Sequence, residues 1–275
     1  MDLRFVTAEH GFAYVRELFE THSLLLFRSQ ELRDEEHMRF ASLFGALENR
    51  AEGEWGAPPA APIALSNQSE DGAALLAERD WRLANLQANM QWHTDGTFLP
   101  TPSLVNVLAS RVVPSQGGQT EVCSTRAAFA DLPDALRLAA QSAVLTHSFA
   151  HSRALVDPEL VSKHPQFTRW PTRDWRAVWR SPATGQDALY LASHVCSARG
   201  DGVDMDTVAE LMAFATRDEY VYTHEWRPGD VLVWDERATM HRGRPWPYDE
   251  ERSLSSVVAS VGTGDGLESV QVLGT

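Results

Sequence analysis

Two stretches of this sequence carry side chains able to grip a metal ion. The first is Trp92-His93-Thr94-Asp95-Gly96-Thr97, where a His-x-Asp spacing sets an imidazole and a carboxylate two positions apart. On an extended strand such positions share a face, so both could reach one ion. The second lies far along the chain, in Trp234-Asp235-Glu236-Arg237-Ala238-Thr239-Met240-His241, and offers His241 as a third ligand. Two imidazoles and one carboxylate occupy one side of an ion. They leave its other positions open for a co-substrate and dioxygen, as in non-haem Fe(II) chemistry.

Such a set needs a scaffold, and the chain is long enough to build one. At 275 residues it can bury one large core, and a single domain spanning 1–275 is expected. The formal net charge of -14 argues against nucleic acid or an anionic membrane as partner, since both require clustered Lys and Arg. The start, Met1-Asp2-Leu3-Arg4-Phe5, lacks the apolar run of a signal peptide, and no window approaches the ~20 apolar residues of a membrane span. Cys123 and Cys196 have no metal or redox spacing and read as reduced thiols, so a cytoplasmic location is expected.

Periodicity supplies the elements. Residues 11–21 carry Phe12, Val15, Leu18 and Phe19 at helical spacing, and Ser23 to Phe27 reads as a short strand. Asp34-Glu35-Glu36 opens a second helix where acids suit the dipole, and Gly45 is expected to end it as a left-handed cap. Glu52 to Pro62 and Asn67 to Arg82 read as loops or short helices, either lids or surface segments. Leu104 to Val113 and Gln119 to Ser124 are strands joined by the turn Pro114-Ser115-Gln116-Gly117-Gly118, and Arg126 to Ala140 is two short helices broken at Pro133. Asp174 to Arg180 with Ala188 to Ala192 forms one hairpin, and 205–216 is an amphipathic helix with Met205, Val208, Leu211 and Met212 on its apolar face. Tyr220 to Trp226 and Val231 to Asp235, across the turn Pro228-Gly229-Asp230, form a second hairpin that delivers His241, and Arg252 to Val258 is a closing strand. These elements amount to a mixed, β-centred fold.

His93-x-Asp95, His241 and Arg252 in this order, with His22-Ser23-Leu24-Leu25-Leu26-Phe27-Arg28 near the start and Gly117-Gly118-Gln119-Thr120-Glu121 between, resemble a known family. It is the Fe(II)/2-oxoglutarate-dependent dioxygenases of the taurine dioxygenase and 2,4-dichlorophenoxyacetate dioxygenase group. The resemblance implies a double-stranded β-helix (jelly roll) core with flanking helices. It implies Fe(II) held by His93, Asp95 and His241, with 2-oxoglutarate and O2 as co-substrates. It places Arg252 and Thr120 on the far carboxylate of 2-oxoglutarate, where a bidentate guanidinium suits better than an ammonium. Related halogenases have Ala or Gly where this chain has Asp95, so oxygenation or desaturation is expected rather than halogenation. The family also admits a homo-oligomer.

For the substrate, the resemblance makes Asn89 a contact and puts Ser256 where relatives carry an arginine that pairs with a substrate anion. A neutral hydroxyl cannot replace a guanidinium in an ion pair. Taurine and 2,4-dichlorophenoxyacetate are therefore not the expected substrates. Either the substrate lacks that anion, or a cation such as Arg82, Arg153 or Arg199 meets it. His194 is the further histidine with a claim to line the site, and Trp92 reads as a packing residue. The expected activity is hydroxylation of a small organic molecule with release of succinate and CO2. Desaturation or oxidative decarboxylation by the same machinery, a non-catalytic metal-binding jelly roll and a zinc hydrolase stand as alternatives.

Overall fold

The computed structural model describes residues 1–50, 57–69, 74–77 and 80–272. Its centre is a five-stranded sheet in the order β1-β11-β3-β13-β2, formed by Leu24–Phe27 (β1), Ile63–Ser66 (β2), Ser103–Val112 (β3), Val231–Asp235 (β11) and Ser253–Ser260 (β13), with every pair antiparallel. Thr120–Ser124 (β4), Val221–His224 (β10) and Thr239–Gly243 (β12) make a second sheet in the order β10-β4-β12. Val144–His147 (β5), Arg173–Arg176 (β6) and Val195–Arg199 (β9) form a third, and Val178–Arg180 (β7) pairs with Asp187–Leu189 (β8), so only the end of the expected Asp174 to Arg180 strand enters the hairpin, its start pairing with β5 instead.

Strand alternation sorts the residues of the large sheet onto two faces. Val105, Val107, Val233, Val257 and Ala259 pack into a core with Phe19, Phe40 and Phe44. That core is covered by the helices Phe12–His22 (α1) and Asp34–Ser42 (α2). The alternate residues Leu108, Leu232, Trp234 and Leu254 face the other way and meet Val122 of β4. In the small sheet Cys123 and Met240 turn outward into a separate core with Leu211 and Phe214 of the helix Met205–Ala215 (α8), under Thr125–Ala130 (α4) and Asp134–Ser142 (α5). The next pair in register, Val122 and His241, turns inward. The space between the two sheets is where His241 points. Two helices line its open side, Trp81–Ala88 (α3) and Phe149–Ala154 (α6), and Pro158–Lys163 (α7) packs on α6. No helix among the described residues is long and apolar enough to cross a membrane.

Several expectations hold with small shifts, among them α1, α2, β3, the break at Pro133 and α8. Met205 is the exception within α8, since it is exposed at the first turn. Three further expectations are corrected. His93-x-Asp95 is not on a strand: His93 makes an isolated bridge to His241, and Asp95 opens a turn. β10 and β11 do not pair with each other; β10 joins β4, whereas β11 is sandwiched between β1 and β3. Gly45 does not cap α2 in a left-handed conformation, because the helix ends at Ser42 with Leu43 as its right-handed cap. Gly45 is small for a different reason: a Cβ there would stand 2.7 Å from the Ser260 carbonyl oxygen. Parts of the two expected loop segments, at 51–56, 70–73 and 78–79, lie outside the described residues. β2 lies between the two segments, and the second runs into the start of α3.

Behind the large sheet a buried ion network ties α1 to the strand that leads to His241. Arg237 donates through Nε to Asp235 at 2.8 Å and through Nη2 to Asp235 at 2.9 Å and Glu20 at 2.7 Å, and is 2% exposed. Removing one member of a buried ion cluster strands the remaining charges. Arg237→Ala should therefore lower the stability of the fold by about 3–5 kcal/mol, read by urea unfolding, and a loss under about 1 kcal/mol would contradict the account.

Candidate metal centre

The site is assembled by backbone before side chain. His93 N–H donates to the His241 carbonyl at 3.0 Å, and His241 N–H donates back to the His93 carbonyl at 2.8 Å. Gly243 N–H extends this contact to the Asn89 carbonyl at 2.9 Å. The segment before the His-x-Asp motif thus runs as an added edge on β12, and the two imidazole centroids are 4.2 Å apart. Thr94 turns the opposite way and its hydroxyl donates to the Leu191 and Thr239 carbonyls.

Asp95 then has to turn back toward the ring pair, and three neighbours hold it there. Its N–H donates to Glu236 Oε2 at 2.9 Å, while Glu236 Oε1 accepts from Trp234 Nε1 at 2.7 Å. Its Oδ2 accepts from Asn106 Nδ2 at 2.8 Å, and Asn106 Oδ1 accepts in turn from Ser256 Oγ at 2.9 Å. Arg50 Nη1 stands 3.8 Å from Asp95 Oδ1, itself held by Glu48. Gly96 has φ +66°, and a Cβ there would lie 2.1 Å from Ser103 Oγ, so this turn accepts only glycine.

One atom each from His93, Asp95 and His241 lies within 4.8 Å of the others. The imidazole tautomer suits a metal, since His93 Nδ1 is 2.8 Å from the Gln91 carbonyl and carries the proton, leaving Nε2 as the free lone pair. Burial lowers the His93 pKa, and burial followed by the neighbouring His93 pushes His241 down to about 3. Burial would raise the Asp95 carboxyl, but Arg50, His241 and His93 outweigh it and hold it at about 2. All three groups are thus in the proton-free form a cation requires, and they fit a divalent ion that takes mixed imidazole and carboxylate ligands.

The triad opens on a cavity of about 520 Å³ that also holds Thr120, Asn89, His194, Arg252 and Ser256. Arg252 is 6% exposed; its Nε and Nη2 donate to the Gly118 carbonyl at 3.2 and 3.0 Å, and its guanidinium lies over Trp246 at 4.8 Å. Burial lowers its pKa to about 10, so it remains a cation at neutral pH. The Thr120 hydroxyl accepts from Trp226 Nε1 at 3.0 Å. His194 does reach the site, with its ring 6.1 Å from that of His93 and Nδ1 3.0 Å from the Thr97 hydroxyl. Trp92 does not line the cavity; it packs on the second core with Arg242 over its ring. Of the three arginines named as alternative cations, Arg153 lines the cavity, Arg199 pairs with Asp174 at 2.8 Å, and Arg82 pairs with Asp80 at 2.8 Å.

Asn106, Glu236 and Arg50 were not anticipated. Asn106 had a visible signal, being the single amide within the apolar run Leu104-Val105-Asn106-Val107-Leu108. A polar side chain in a strand buried on both faces must find a partner. Glu236 and Arg50 had no such signal, because acids and bases are common at the ends of elements.

The chain is similar to known proteins in sequence and in fold. The family model "Taurine catabolism dioxygenase TauD, TfdA family" matches residues 2–258. The chain is 32% identical over 263 residues to the alpha-ketoglutarate-dependent 2,4-dichlorophenoxyacetate dioxygenase of Cupriavidus pinatubonensis, covering 92% of this chain and 90% of that one. It is 30% identical to the (S)-phenoxypropionate/alpha-ketoglutarate-dioxygenase of Delftia acidovorans, covering 89% of this chain and 84% of that one. Among solved structures, that of AAD-2 in complex with Mn(II) and N-oxalylglycine superposes with a TM-score of 0.83 at 28% identity, over 97% of this chain and 94% of the other.

Two measurements check the site. Ordinary histidines, with pKa about 6.5, would lose about 100-fold in joint metal affinity between about pH 7.5 and about pH 5.5. Here both imidazoles titrate below that value, so proton competition starts at lower pH and Mn(II) affinity should fall less than about tenfold over that range by calorimetry. A fall near 100-fold would contradict the assignment. Asn106→Ala, which frees one oxygen of Asp95, should weaken Mn(II) binding by about 10–100-fold, and an unchanged affinity would show that Asn106 does not orient the carboxylate.

Proposed function

The chain belongs to the taurine catabolism dioxygenase (TauD, TfdA) family and is an Fe(II)- and 2-oxoglutarate-dependent dioxygenase acting on a small organic substrate, and from that premise we propose the role of each residue. His93, Asp95 and His241 hold the iron, Arg252 and Thr120 bind 2-oxoglutarate, and Asn89 lies at the substrate. The observation that carries this reading is a buried guanidinium without a carboxylate partner among the described residues, in the same cavity as a two-His, one-carboxylate set.

When bound, the iron and its co-substrates supply the oxidation: O2 converts 2-oxoglutarate to succinate and CO2, and its second oxygen atom enters a substrate C–H bond as a hydroxyl. The protein's own part is placement and desolvation. The reciprocal backbone bonds fix the two imidazoles relative to each other, and Asn106 with the Glu236-held N–H fixes the carboxylate. Arg252 needs an anion to balance its charge, and the far carboxylate of 2-oxoglutarate suits its planar fork. Trp246 against that guanidinium and Trp226 on Thr120 set these two side chains against ring edges and faces and limit water around them.

The facing antiparallel sheets, together with the likeness to AAD-2, support a jelly-roll core in a single domain over 1–275. The free thiols Cys123 and Cys196 support a reducing, cytoplasmic setting.

Arg252→Ala should weaken 2-oxoglutarate binding to the Mn(II)-loaded protein by about 100-fold while Mn(II) affinity itself stays within about twofold, both read by calorimetry. Equal 2-oxoglutarate affinity in the variant would place the co-substrate elsewhere.

A further inference from the structure

Charge balance in the cavity points to a second anion. Among the described residues four guanidiniums line it. Arg50 is paired with Glu48 at 2.9 Å, and Arg242 with Glu121 at 2.6 Å. Arg252 has no acidic partner among the described residues and receives 2-oxoglutarate on the reading above. The fourth, Arg153 of α6, is 5% exposed and likewise has no acidic partner among them.

The contacts of Arg153 are all neutral. Nε donates to Asn85 Oδ1 at 2.9 Å, Nη2 to Asn89 Oδ1 at 3.0 Å and Nη1 to Ser152 Oγ at 3.2 Å, while the group stacks on Phe149 at 4.3 Å. A guanidinium carries five N–H donors, so two remain beyond these three contacts. A buried cation held in place by amides and a ring, with donors to spare, is costly unless an anion completes it. The location is adjacent to the metal set: Asn89, which holds Arg153, is bonded through its carbonyl to Gly243 of the His241 strand. Phe149, under the guanidinium, also lies 6.1 Å from the His194 ring, which in turn is 6.1 Å from that of His93.

We propose that Arg153 is the substrate's anion anchor, that Asn85 and Asn89 fix its fork, and that the substrate is an apolar body carrying one carboxylate or sulfonate. The proposal rests on the functional reading above, which assigns Arg252 to 2-oxoglutarate. Ser256 cannot serve this purpose, since its hydroxyl is spent on Asn106. Leu86, Met90, Phe98 and Phe149 line the space beside Arg153 and would cover the apolar body. Paired to the guanidinium, the acid end orients the rest of the molecule toward the metal, so the reacting carbon is selected by its distance from the anion.

The test uses full-length protein loaded with Mn(II) and 2-oxoglutarate, and three probes of similar size: phenoxyacetate, phenylmethanesulfonate and the neutral phenoxyacetamide. Calorimetry is run on wild type, Arg153→Met and Arg153→Lys, with 2-oxoglutarate affinity and thermal midpoint recorded for each. The expected result is that at least one anion binds wild type about 30-fold or more tighter than the amide. Arg153→Met abolishes that preference without moving 2-oxoglutarate affinity by more than about twofold, and Arg153→Lys keeps part of it. The tighter of the two anions identifies the headgroup. Equal binding of acid and amide, an unaltered preference in Arg153→Met, or no probe binding to wild type that does take up 2-oxoglutarate overturns the proposal. Wild type that fails to take up 2-oxoglutarate overturns the functional reading, and this proposal with it.

Discussion

The pair of backbone hydrogen bonds between His93 and His241 is the contact on which the rest of the site depends. It joins two segments far apart in sequence with the rigidity of a sheet ladder, and rigidity is what a metal set requires: ligands must stay within a few tenths of an ångström of their productive positions. Everything around the pair serves to keep it closed. Thr94 pins the segment from the reverse side by bonding the Leu191 and Thr239 carbonyls. Gly96 gives the chain the turn that brings Asp95 back toward the rings. Behind them, the Arg237 cluster fixes the end of β11, from which the chain runs directly into the His241 strand.

Charge is distributed so that the cavity is ready for both anions and a cation. Asp95 is kept ionised by Arg50 and the Asn106 amide, and the imidazoles are kept neutral by burial. Arg252 and Arg153 stay cationic although burial pulls both to about 10. Separately, each of these buried groups costs the fold free energy. Together with a divalent ion and two acidic ligands the charges balance, so assembly of the complex offsets a cost that the empty protein bears alone.

Much of this was legible in the chain before folding. The candidate ligand set could be picked out from residue type and order, Arg252 and Thr120 only through the resemblance to the family, and the cores of α1, β3 and β13 from periodicity. What failed did so for identifiable reasons. The strand reading of His93-x-Asp95 brought the two side chains together through the wrong geometry, because a period of two cannot register that Asp95 is steered by a distant carboxylate, Glu236. Pro228-Gly229-Asp230 has the chemistry of a hairpin turn, yet β10 and β11 leave it for different sheets, and only long-range pairing with β4 and β3 decides that. Gly45 was read for its backbone freedom, whereas the Ser260 carbonyl demands its lack of a side chain. Arg153 was one of three candidates, and sequence could not rank them: what separates it from Arg82 and Arg199 is the absence of a carboxylate at its tip, a fact of packing.

The central claim is that His93, Asp95 and His241 hold one Fe(II) with room for 2-oxoglutarate to chelate beside them. Anaerobic addition of Fe(II) and 2-oxoglutarate tests it most directly, through the weak visible metal-to-ligand charge-transfer band of the chelate. The account predicts a band that saturates at one iron per chain in wild type and is lost in His241→Ala. A folded, metal-loaded protein that shows no band, or a band indifferent to His241, would contradict it.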